Sequence, residues 1–223
     1  MNVAALFSGG KDSTYAVYLA QQRGWDVSRL ITLVPTKGES HMFHIPNISL
    51  CAMLAEAMGI PYTEWRTAGE EEKELVDLRK ALGSLVVEGI ITGAIASDYQ
   101  ATRIDRLCHE LGMRSFSPLW RWKQADVLNG ILSAGFKVMI VGVYADGMGK
   151  EWLGRELDET ALEELNRLAM RNRMNVSGEG GEFETLVLDG PNFSKRLEIK
   201  ESETVWHGTN GEYLVKKAVL VDK

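Results

Sequence analysis

Cysteine is scarce in this chain of 223 residues, which has only Cys51 and Cys108, far apart in the sequence. The sequence has no Cys-x-x-Cys pair, so a zinc site of four cysteines, or of two cysteines and two histidines, is excluded. Two free thiols buried in the core are typical of a protein from a reducing compartment. We therefore expect a cytoplasmic protein.

Long apolar runs and an excess of positive charge are also missing. No apolar run reaches the length that spans a membrane, and the first predicted strand begins too early to leave room for a signal peptide. The 25 Lys and Arg residues are outnumbered by 31 Asp and Glu residues, for a net charge of −6. Because nucleic-acid binding needs clustered positive charge, we expect neither a membrane partner nor a direct nucleic-acid partner.

The most informative segment that is present is the turn Phe7–Ser13, with the sequence FSGGKDS, between an apolar stretch at 3–6 and a helix-like stretch at 14–20. Adjacent glycines let the backbone approach an anion closely. The N–H groups of the turn and the N-terminus of the following helix then point at the same spot. Two serine hydroxyls and the Lys11 ammonium add donors, so the turn predicts a phosphate site.

Asp12 is an unusual neighbour for an anion unless it holds a cation or orients the turn. Mg²⁺ binds through one or two carboxylates together with substrate phosphates, so we predict Asp12 as a metal ligand. The two common nucleotide-binding patterns, G-x-x-x-x-G-K-[ST] and G-x-G-x-x-G, are both absent. The turn therefore predicts a nucleotide site of another kind.

Strand-like and helix-like segments alternate over about two-thirds of the chain, which predicts an α/β fold with a parallel sheet. The predicted strands are 3–6, 30–34, 61–65, 90–95 and 136–144. The predicted helices are 14–20, 50–58 with Asn47 as its cap, 72–85, 99–111 and 123–134.

The pattern changes near Gly178. Four later segments, at 183–188, 197–200, 203–206 and 213–221, are predicted as antiparallel strands because strong turn signals separate them. The predicted fold is a Rossmann-like parallel sheet flanked by helices, with a smaller C-terminal mixed or antiparallel β region. We place the N-terminal nucleotide domain at 1–145 and the C-terminal region at 146–223.

Ligands of open parallel sheets lie beyond the carboxyl ends of the strands, which singles out two further segments. The long connection 37–47 contains His41 and His44, and is either a surface loop or a contact for adenine or substrate. After the strand at 90–95, either Ser97 or Asp98 suits a helix N-cap, and this location also suits a nucleotide contact. Arg103, one turn later, suits either a phosphate contact or an ion pair.

A third segment, Ser177–Thr185, has three glycines and three glutamates in nine residues. It is either a flexible acidic loop or a binding segment, since the carboxylates of Glu182 and Glu184 suit Mg²⁺ or a cationic substrate. A trimethylammonium group fits this acidic character, helped by aromatic side chains.

The turn Ser8–Ser13 resembles the S-G-G-x-D-S pyrophosphate loop of the N-type ATP pyrophosphatases, the PP-loop superfamily. Members of that superfamily split ATP into AMP and pyrophosphate while adenylating an oxygen of a second substrate. Within it, the chain resembles the diphthine–ammonia ligases, or diphthamide synthases, in an archaeal-type form with a single module. Four stretches carry this similarity, with support from 152–155: 7–13, 42–47, 93–103 together with Cys108 and 116–120, and 178–185.

The resemblance implies ATP-dependent amidation of diphthine, the modified histidine of translation elongation factor 2, with ammonia, through an acyl-adenylate. It implies catalytic roles for Lys11, Asp12 and Ser13, and Mg²⁺ at Asp12. The implied nucleotide contacts are Ser8, Gly9, Gly10, Lys11, Asp12, Ser13, Ser97 and Asp98. The implied contacts to the acceptor are His44, Asn47, Arg103, Glu179, Glu182, Glu184 and Thr185. The chain has no glutaminase module, so ammonia is expected to come free or from another protein.

Three alternatives stay open from the sequence. The first is an adenylase that modifies tRNA, against which the spacing of the two cysteines and the acidic net charge argue. The second is an amide synthetase for another small carboxylate. The third is a nucleotide-binding protein without turnover, against which the intact Lys11-Asp12-Ser13 argues. A homodimer is expected only from its general frequency among soluble proteins.

Overall fold

The computed structural model describes residues 1–35, 46–67 and 71–223. Its strands are β1 (Asn2–Leu6), β2 (Asp26–Pro35), β3 (Tyr62–Thr67), β4 (Gly89–Ile91), β5 (Arg114–Phe116), β6 (Lys137–Val143), β7 (Phe183–Asp189), β8 (Lys195–Trp206) and β9 (Gly211–Asp222). Its helices are α1 (Lys11–Gln22), α2 (Cys51–Met58), α3 (Glu71–Gly83), α4 (Asp98–Glu110), α5 (Gln124–Ser133) and α6 (Glu159–Asn172).

The first sheet is parallel and has the strand order β3-β2-β1-β4-β5, which confirms the predicted α/β class. Side chains of β1 alternate between its two faces: Val3 and Ala5 pack into one core, and Ala4 and Leu6 into the other. Helices α1, α2 and α5 cover the first face and α3 and α4 the second. Burial on both faces explains why the central strands β1 and β4 are almost entirely apolar.

The second sheet is antiparallel and has the order β7-β6-β9-β8, which confirms the smaller C-terminal β region. The prediction that the strand at 136–144 belongs to the parallel sheet is wrong, since β6 pairs antiparallel with both β7 and β9. An apolar run indicates burial but carries no information about the direction of its partner strand. The segments predicted separately at 197–200 and 203–206 form one strand, β8, with irregular register at Glu201.

The sequence analysis predicts neither strand β5 nor helix α6. Strand β5 has three residues, too few for a periodic pattern. Helix α6 does have a sequence signal, because Asp158 caps it by accepting a hydrogen bond from Ala161 N–H at 2.7 Å. The prediction that Asn47 caps a helix is also wrong. Asn47 has a left-handed backbone and bonds β9 instead, donating to Tyr213 O at 2.8 Å and accepting from Val215 N–H at 2.7 Å.

The two sheets share one core and meet at the turn that follows β1. Val187 N–H donates to Gly9 O at 3.0 Å, and Lys11 N–H donates to the Thr185 hydroxyl at 3.1 Å. Phe183 and Leu186 of β7 pack in the same cluster as Phe7 and α1. The N-terminal turn is thus held from the C-terminal sheet. Within the described residues, no helix combines the length and the apolar character that crossing a membrane requires.

Candidate nucleotide and acceptor site

A cavity of about 440 Å³ lies where the carboxyl ends of β1, β2 and β4 face the second sheet. The turn after β1 forms one wall, and the loop before β7 forms another. The cavity therefore occupies the place where open parallel sheets bind ligands. The predicted site residues that line it are Ser8, Gly10, Lys11, Asp12, Ser13, Ser97, Glu179, Glu184 and Thr185.

Hydrogen bonds between its own serines shape the turn. Ser13 Oγ accepts from Ser8 N–H at 3.2 Å, donates to Gly10 O at 3.2 Å, and lies 3.0 Å from Ser8 Oγ. Gly9 has a φ of 75°, and a Cβ there would come within 2.9 Å of Leu54 Cδ1 in α2. The first serine and the last thus hold the turn in shape, and Gly9 lets it lie directly on α2.

Lys11 and Asp12 form a partly buried ion pair at the N-terminus of α1. Lys11 is only 4% exposed, its Nζ lies 2.8 Å from Asp12 Oδ2, and Nζ is 5.3 Å from the ring centroid of Phe183. The other carboxylate oxygen, Asp12 Oδ1, is buried and has no hydrogen-bond partner among the described residues. Burial raises the pKa of Asp12, Lys11 opposes this shift, and the nearby Glu179 adds to it. An unpartnered carboxylate oxygen lining a cavity suits a cation.

Gly93, which the sequence analysis does not single out as a site residue, determines how closely α1 approaches β4. A Cβ at this position would lie 2.6 Å from Ser13 N and 2.8 Å from the carbonyl carbon of Asp12. Glycine is therefore required for the first turn of α1 to rest against the end of β4. The available signal was a glycine inside the predicted strand 90–95, since a glycine within a strand often marks a close approach of another backbone.

Glu179 binds the loop that leads into α4. Its Oε1 accepts hydrogen bonds from three consecutive backbone N–H groups, those of Ile95 at 3.2 Å, Ala96 at 2.8 Å and Ser97 at 3.1 Å. Ser97 caps α4, since its Oγ accepts from Gln100 N–H at 3.3 Å. Glu179 thus joins the acidic loop before β7 to the loop between β4 and α4 at the edge of the first sheet.

We expect Glu179→Ala to lower turnover by about 10- to 100-fold, because three charge-assisted hydrogen bonds are lost. Sodium formate should restore part of the rate, since its carboxylate can occupy the three vacated N–H groups, whereas sodium chloride at equal ionic strength should not. The measurement is the rate of AMP formation with each salt. Glu163→Ala, on the exposed face of α6, is the control and should show neither effect. A formate-insensitive loss would contradict this role.

Glu184 shares the cavity with Lys11 and Asp12. Burial raises its pKa from 4.5 to about 7, Lys11 opposes the shift, and Asp12 adds to it. The described residues include no hydrogen-bond partner for its carboxylate. Glu184 is therefore expected to change charge near neutral pH inside this cavity.

The free energy of unfolding should report this titration. Because the folded state binds the Glu184 proton more tightly than the unfolded state, wild-type stability should fall as pH rises from 4.5 to 7. We expect Glu184→Gln to abolish this decline, gaining at most about 3 kcal/mol relative to wild type by pH 8. Urea unfolding at pH 5 and pH 8 measures the difference. Glu201→Gln, an exposed pair member on β8, should change nothing, and equal pH dependence in wild type and Glu184→Gln would refute the assignment.

Five predicted site residues lie away from the cavity lining. Asp98 is 78% exposed and 3.8 Å from Arg121. The guanidinium of Arg103 lies 3.3 Å from the ring centroid of Tyr99 on α4. Glu182 accepts hydrogen bonds within its own loop, from Asn175 N–H at 2.6 Å and from Gly180 N–H at 2.8 Å.

The other two are Asn47, which bonds β9 as described above, and Gly9, which faces α2 rather than the cavity. A further predicted site residue, His44, falls outside the described residues together with His41.

The residues that the sequence analysis did not single out include Thr92, Gln100 and Phe183, which also line the cavity. Thr32 lines it too, and its hydroxyl donates to Phe7 O at 2.7 Å, so it fixes the start of the turn. Within the three described ranges, no three His, Cys, Asp or Glu side chains gather to hold a metal ion. A metal here would therefore need ligands from a bound phosphate.

Comparison with known proteins gives consistent results on both halves of the chain. A family model described as the diphthamide synthase N-terminal domain matches residues 1–115, and one described as the C-terminal domain matches residues 123–221. The diphthine–ammonia ligase of Homo sapiens is 33% identical over 94% of this chain and 87% of its own length. That of Schizosaccharomyces pombe is 33% identical over 100% of this chain, which spans only 40% of the yeast protein.

A solved structure with the same fold is described as a predicted subunit of a tRNA methyltransferase from Methanocaldococcus jannaschii. It superposes with a TM-score of 0.50 at 17% identity, covering 86% of this chain and 98% of that one. At this identity the likeness concerns the fold alone. The two family models together cover most of the chain, including the turn after β1 and the acidic loop before β7. These matches confirm the resemblance seen in the sequence, and the chain belongs to the diphthamide synthase family.

Proposed function

We propose that this chain is an ATP-dependent ligase that amidates diphthine on translation elongation factor 2 with ammonia, giving diphthamide, AMP and pyrophosphate. One observation carries the proposal: the turn Ser8–Ser13 and the acidic loop with Glu179 and Glu184, from different sheets, line the same cavity. We propose that the nucleotide binds at the turn and the second substrate beside it, at the acidic loop. The relatives named diphthine–ammonia ligase supply the reaction class.

The phosphates of ATP are proposed to bind at the turn Ser8–Ser13. The N-terminus of α1 and the backbone N–H groups of the turn provide donors for an anion. The Lys11 ammonium adds a positive charge that is buried and so weakly screened by solvent. Catalysis would then rest on positioning and on stabilising charge at the departing pyrophosphate.

The reaction has two steps. A carboxylate oxygen of diphthine attacks the α-phosphorus of ATP, the bond to the bridging oxygen breaks, and pyrophosphate leaves with the electron pair. Ammonia then attacks the acyl carbon of the acyl-adenylate, loses a proton, and AMP leaves. The substrates supply both nucleophiles, so the protein needs to bind and orient them rather than attack. Glu184 lines the cavity, and burial raises its pKa to about 7, so we propose that it accepts the proton that ammonia loses.

The site fits a Mg²⁺ ion bound with ATP. Asp12 Oδ1 is a buried oxygen with no partner among the described residues, and Asp12 lines the cavity beside the phosphate-binding turn. One carboxylate plus substrate phosphates is the usual ligand set of Mg²⁺ in such sites. When bound, the ion would neutralise charge on the phosphates, and Asp12 is the residue that would hold it.

We propose separate roles for the two parts of the chain: residues 1–145 bind ATP, and residues 146–223 recognise the acceptor. Strand β6 lies within the first part but pairs in the second sheet, so it joins the two. The hydrogen bonds of Thr185 to Lys11 N–H and of Glu179 to 95–97 cross between the parts. Binding of the acceptor at the acidic loop would therefore directly influence the position of the turn Ser8–Ser13.

Product analysis tests the proposed function. The protein is incubated with α-labelled ATP, Mg²⁺, ammonium and elongation factor 2 in its diphthine form, and each component is omitted in turn. We expect AMP only in the complete mixture, together with one new amide on the factor by mass spectrometry.

Other outcomes would point to the alternatives. AMP that forms without the factor would keep the adenylation chemistry but refute this acceptor, and unmodified tRNA and small carboxylates would then be tested. ADP, or bound nucleotide without turnover in every mixture, would refute the ligase.

A further inference from the structure

A half-exposed aromatic ring lies beside the cavity on the second sheet. Tyr144 directly follows β6, and its residue is 38% exposed. Its backbone N–H donates to Glu182 O at 2.9 Å, and its hydroxyl donates to Glu212 Oε1 at 3.1 Å. The ring is therefore anchored at both ends, by the backbone and by the phenol, with part of its surface open to solvent.

The ring lies over a row of residues that crosses three strands. Gly142 of β6 is paired with Glu184 on β7 and with Glu212 on β9, so these residues share one face of the sheet. The two glutamates stand one strand to either side of Gly142, about 9.5 Å apart along the row. A carboxylate is thus attached to the sheet on each side of the glycine.

Glycine at position 142 lets the ring fold back over this row. A Cβ there would come within 2.9 Å of both Cε2 and the hydroxyl oxygen of Tyr144, and within 3.0 Å of Glu184 Cβ. No side chain fits between the two glutamates except the ring itself. The row Glu184-Gly142-Glu212 with Tyr144 over it, the aromatic platform, is therefore a built arrangement and not a chance cluster of acids.

Two carboxylates lie beside the ring of the platform, and the Lys11 ammonium acts on one of them, that of Glu184. Burial raises the pKa of Tyr144 most, and the carboxylates of Glu212 and Glu184 raise it further, so the phenol is neutral at physiological pH. Glu184 is mostly buried, has no hydrogen-bond partner in the described residues, and lines the nucleotide cavity. The platform and the cavity thus share one carboxylate.

We infer that the aromatic platform of Tyr144, Glu184 and Glu212 binds the quaternary ammonium group of the acceptor. A trimethylammonium group has no N–H to donate, so an aromatic face together with negative charge recognises it better than hydrogen-bond acceptors alone. In diphthine, the trimethylammonium group and the carboxylate are attached to the same carbon. The cation must therefore bind next to the reacting carboxylate, and Glu184 lies at that junction.

This inference rests on the proposed function for the identity of the acceptor, but its first test does not need turnover. Glycine betaine carries a trimethylammonium group one carbon from a carboxylate, and 3,3-dimethylbutanoate is its uncharged-head isostere. Titrations followed by NMR measure the binding of each to the ATP-loaded protein. We expect wild type to bind betaine at least tenfold more tightly than the isostere.

Variants locate the site. Tyr144→Leu and Glu212→Gln should each weaken betaine binding at least fivefold, whereas Tyr144→Phe, which keeps the ring, should stay within threefold of wild type. Trp122→Leu removes another exposed aromatic residue, one outside the row Glu184-Gly142-Glu212, and is the matched control. Thermal unfolding of each variant shows whether the fold is kept.

Steady-state kinetics with the factor give the second readout. Tyr144→Leu should raise the KM for the diphthine-bearing factor at least tenfold and leave the KM for ATP within twofold. An active ligase whose acceptor KM is unchanged in Tyr144→Leu and Glu212→Gln would overturn the inference. If wild type forms no amide, betaine binding decides: Tyr144-dependent binding keeps the cation site while the proposed function fails, and absent binding refutes both.

Discussion

Replacing Asp12 by alanine should abolish AMP formation while the protein stays folded. Asp12 lines the cavity, and its Oδ1 is buried with no partner in the described residues, where a bound cation would pair with it. Asp12 is also the counter-ion of the buried Lys11, at 2.8 Å, so its removal should lower the free energy of unfolding as well, without unfolding the protein. We expect turnover to fall at least about 100-fold, the usual effect of removing a preorganised charge from a reaction centre. Labelled AMP from α-labelled ATP is the measurement.

Asp12→Asn separates charge from shape, since the amide occupies the same space without the negative charge. We expect it to be nearly as inactive as Asp12→Ala, and its residual rate to need a higher Mg²⁺ concentration for saturation. Asp222→Ala, at the exposed end of β9, is the control and should leave both the rate and the Mg²⁺ dependence unchanged. Normal turnover by either Asp12 variant would end the hypothesis that Ser8–Ser13 is a pyrophosphate loop.

Gly93→Ala should have an effect of similar size from a single methyl group. The added Cβ would lie 2.6 Å from Ser13 N, and backbone atoms of α1 cannot yield as a flexible side chain does. The first turn of α1 would move away from β4, carrying Asp12 and Lys11 with it. We expect turnover to fall about 100-fold, because small misplacements at a reaction centre have effects of that size. The free energy of unfolding should fall by about 1–3 kcal/mol.

Gly83→Ala is the matched control for this substitution. Gly83 ends α3, and a Cβ there meets only Leu111 Cδ2, at 3.6 Å, an ordinary contact. We expect unchanged turnover and a stability equal to wild type or up to about 1 kcal/mol higher, since alanine restricts the unfolded chain. Chemical unfolding and AMP formation are measured on both variants. Wild-type rates in Gly93→Ala would show that the nucleotide turn tolerates a wider separation of α1 from β4.

The sequence was sufficient for the elements that repeat a local pattern. The turn Ser8–Ser13 is recognisable because it combines a buried strand, two glycines and a helix start within a short stretch of chain. The parallel sheet followed from the alternation of strands and helices. The acidic loop before β7 stood out by composition, and the structure brings it to the cavity as part of the same wall as Thr185.

What the sequence left undecided depends on contacts between distant segments. Glu179, Glu182 and Glu184 look alike in the sequence, yet one binds the N–H groups of 95–97, one folds its own loop, and one faces the cavity. The contacts of each glutamate depend on its position in the folded loop, which the residue type does not reveal. The sheet partner of β6 was missed for the same reason, and with it the row that places Tyr144 between two carboxylates.

The hydrogen bonds that hold the turn after β1 have a consequence for how the protein is made. Lys11 leaves the ribosome 174 residues before its partner Thr185, and Gly9 is likewise far in sequence from its partner Val187. Contacts of such high sequence separation form late in folding. The nascent chain would therefore carry an incompletely bonded turn until β7 has been synthesised. If the turn binds ATP as proposed, its full affinity for ATP would appear only after that point.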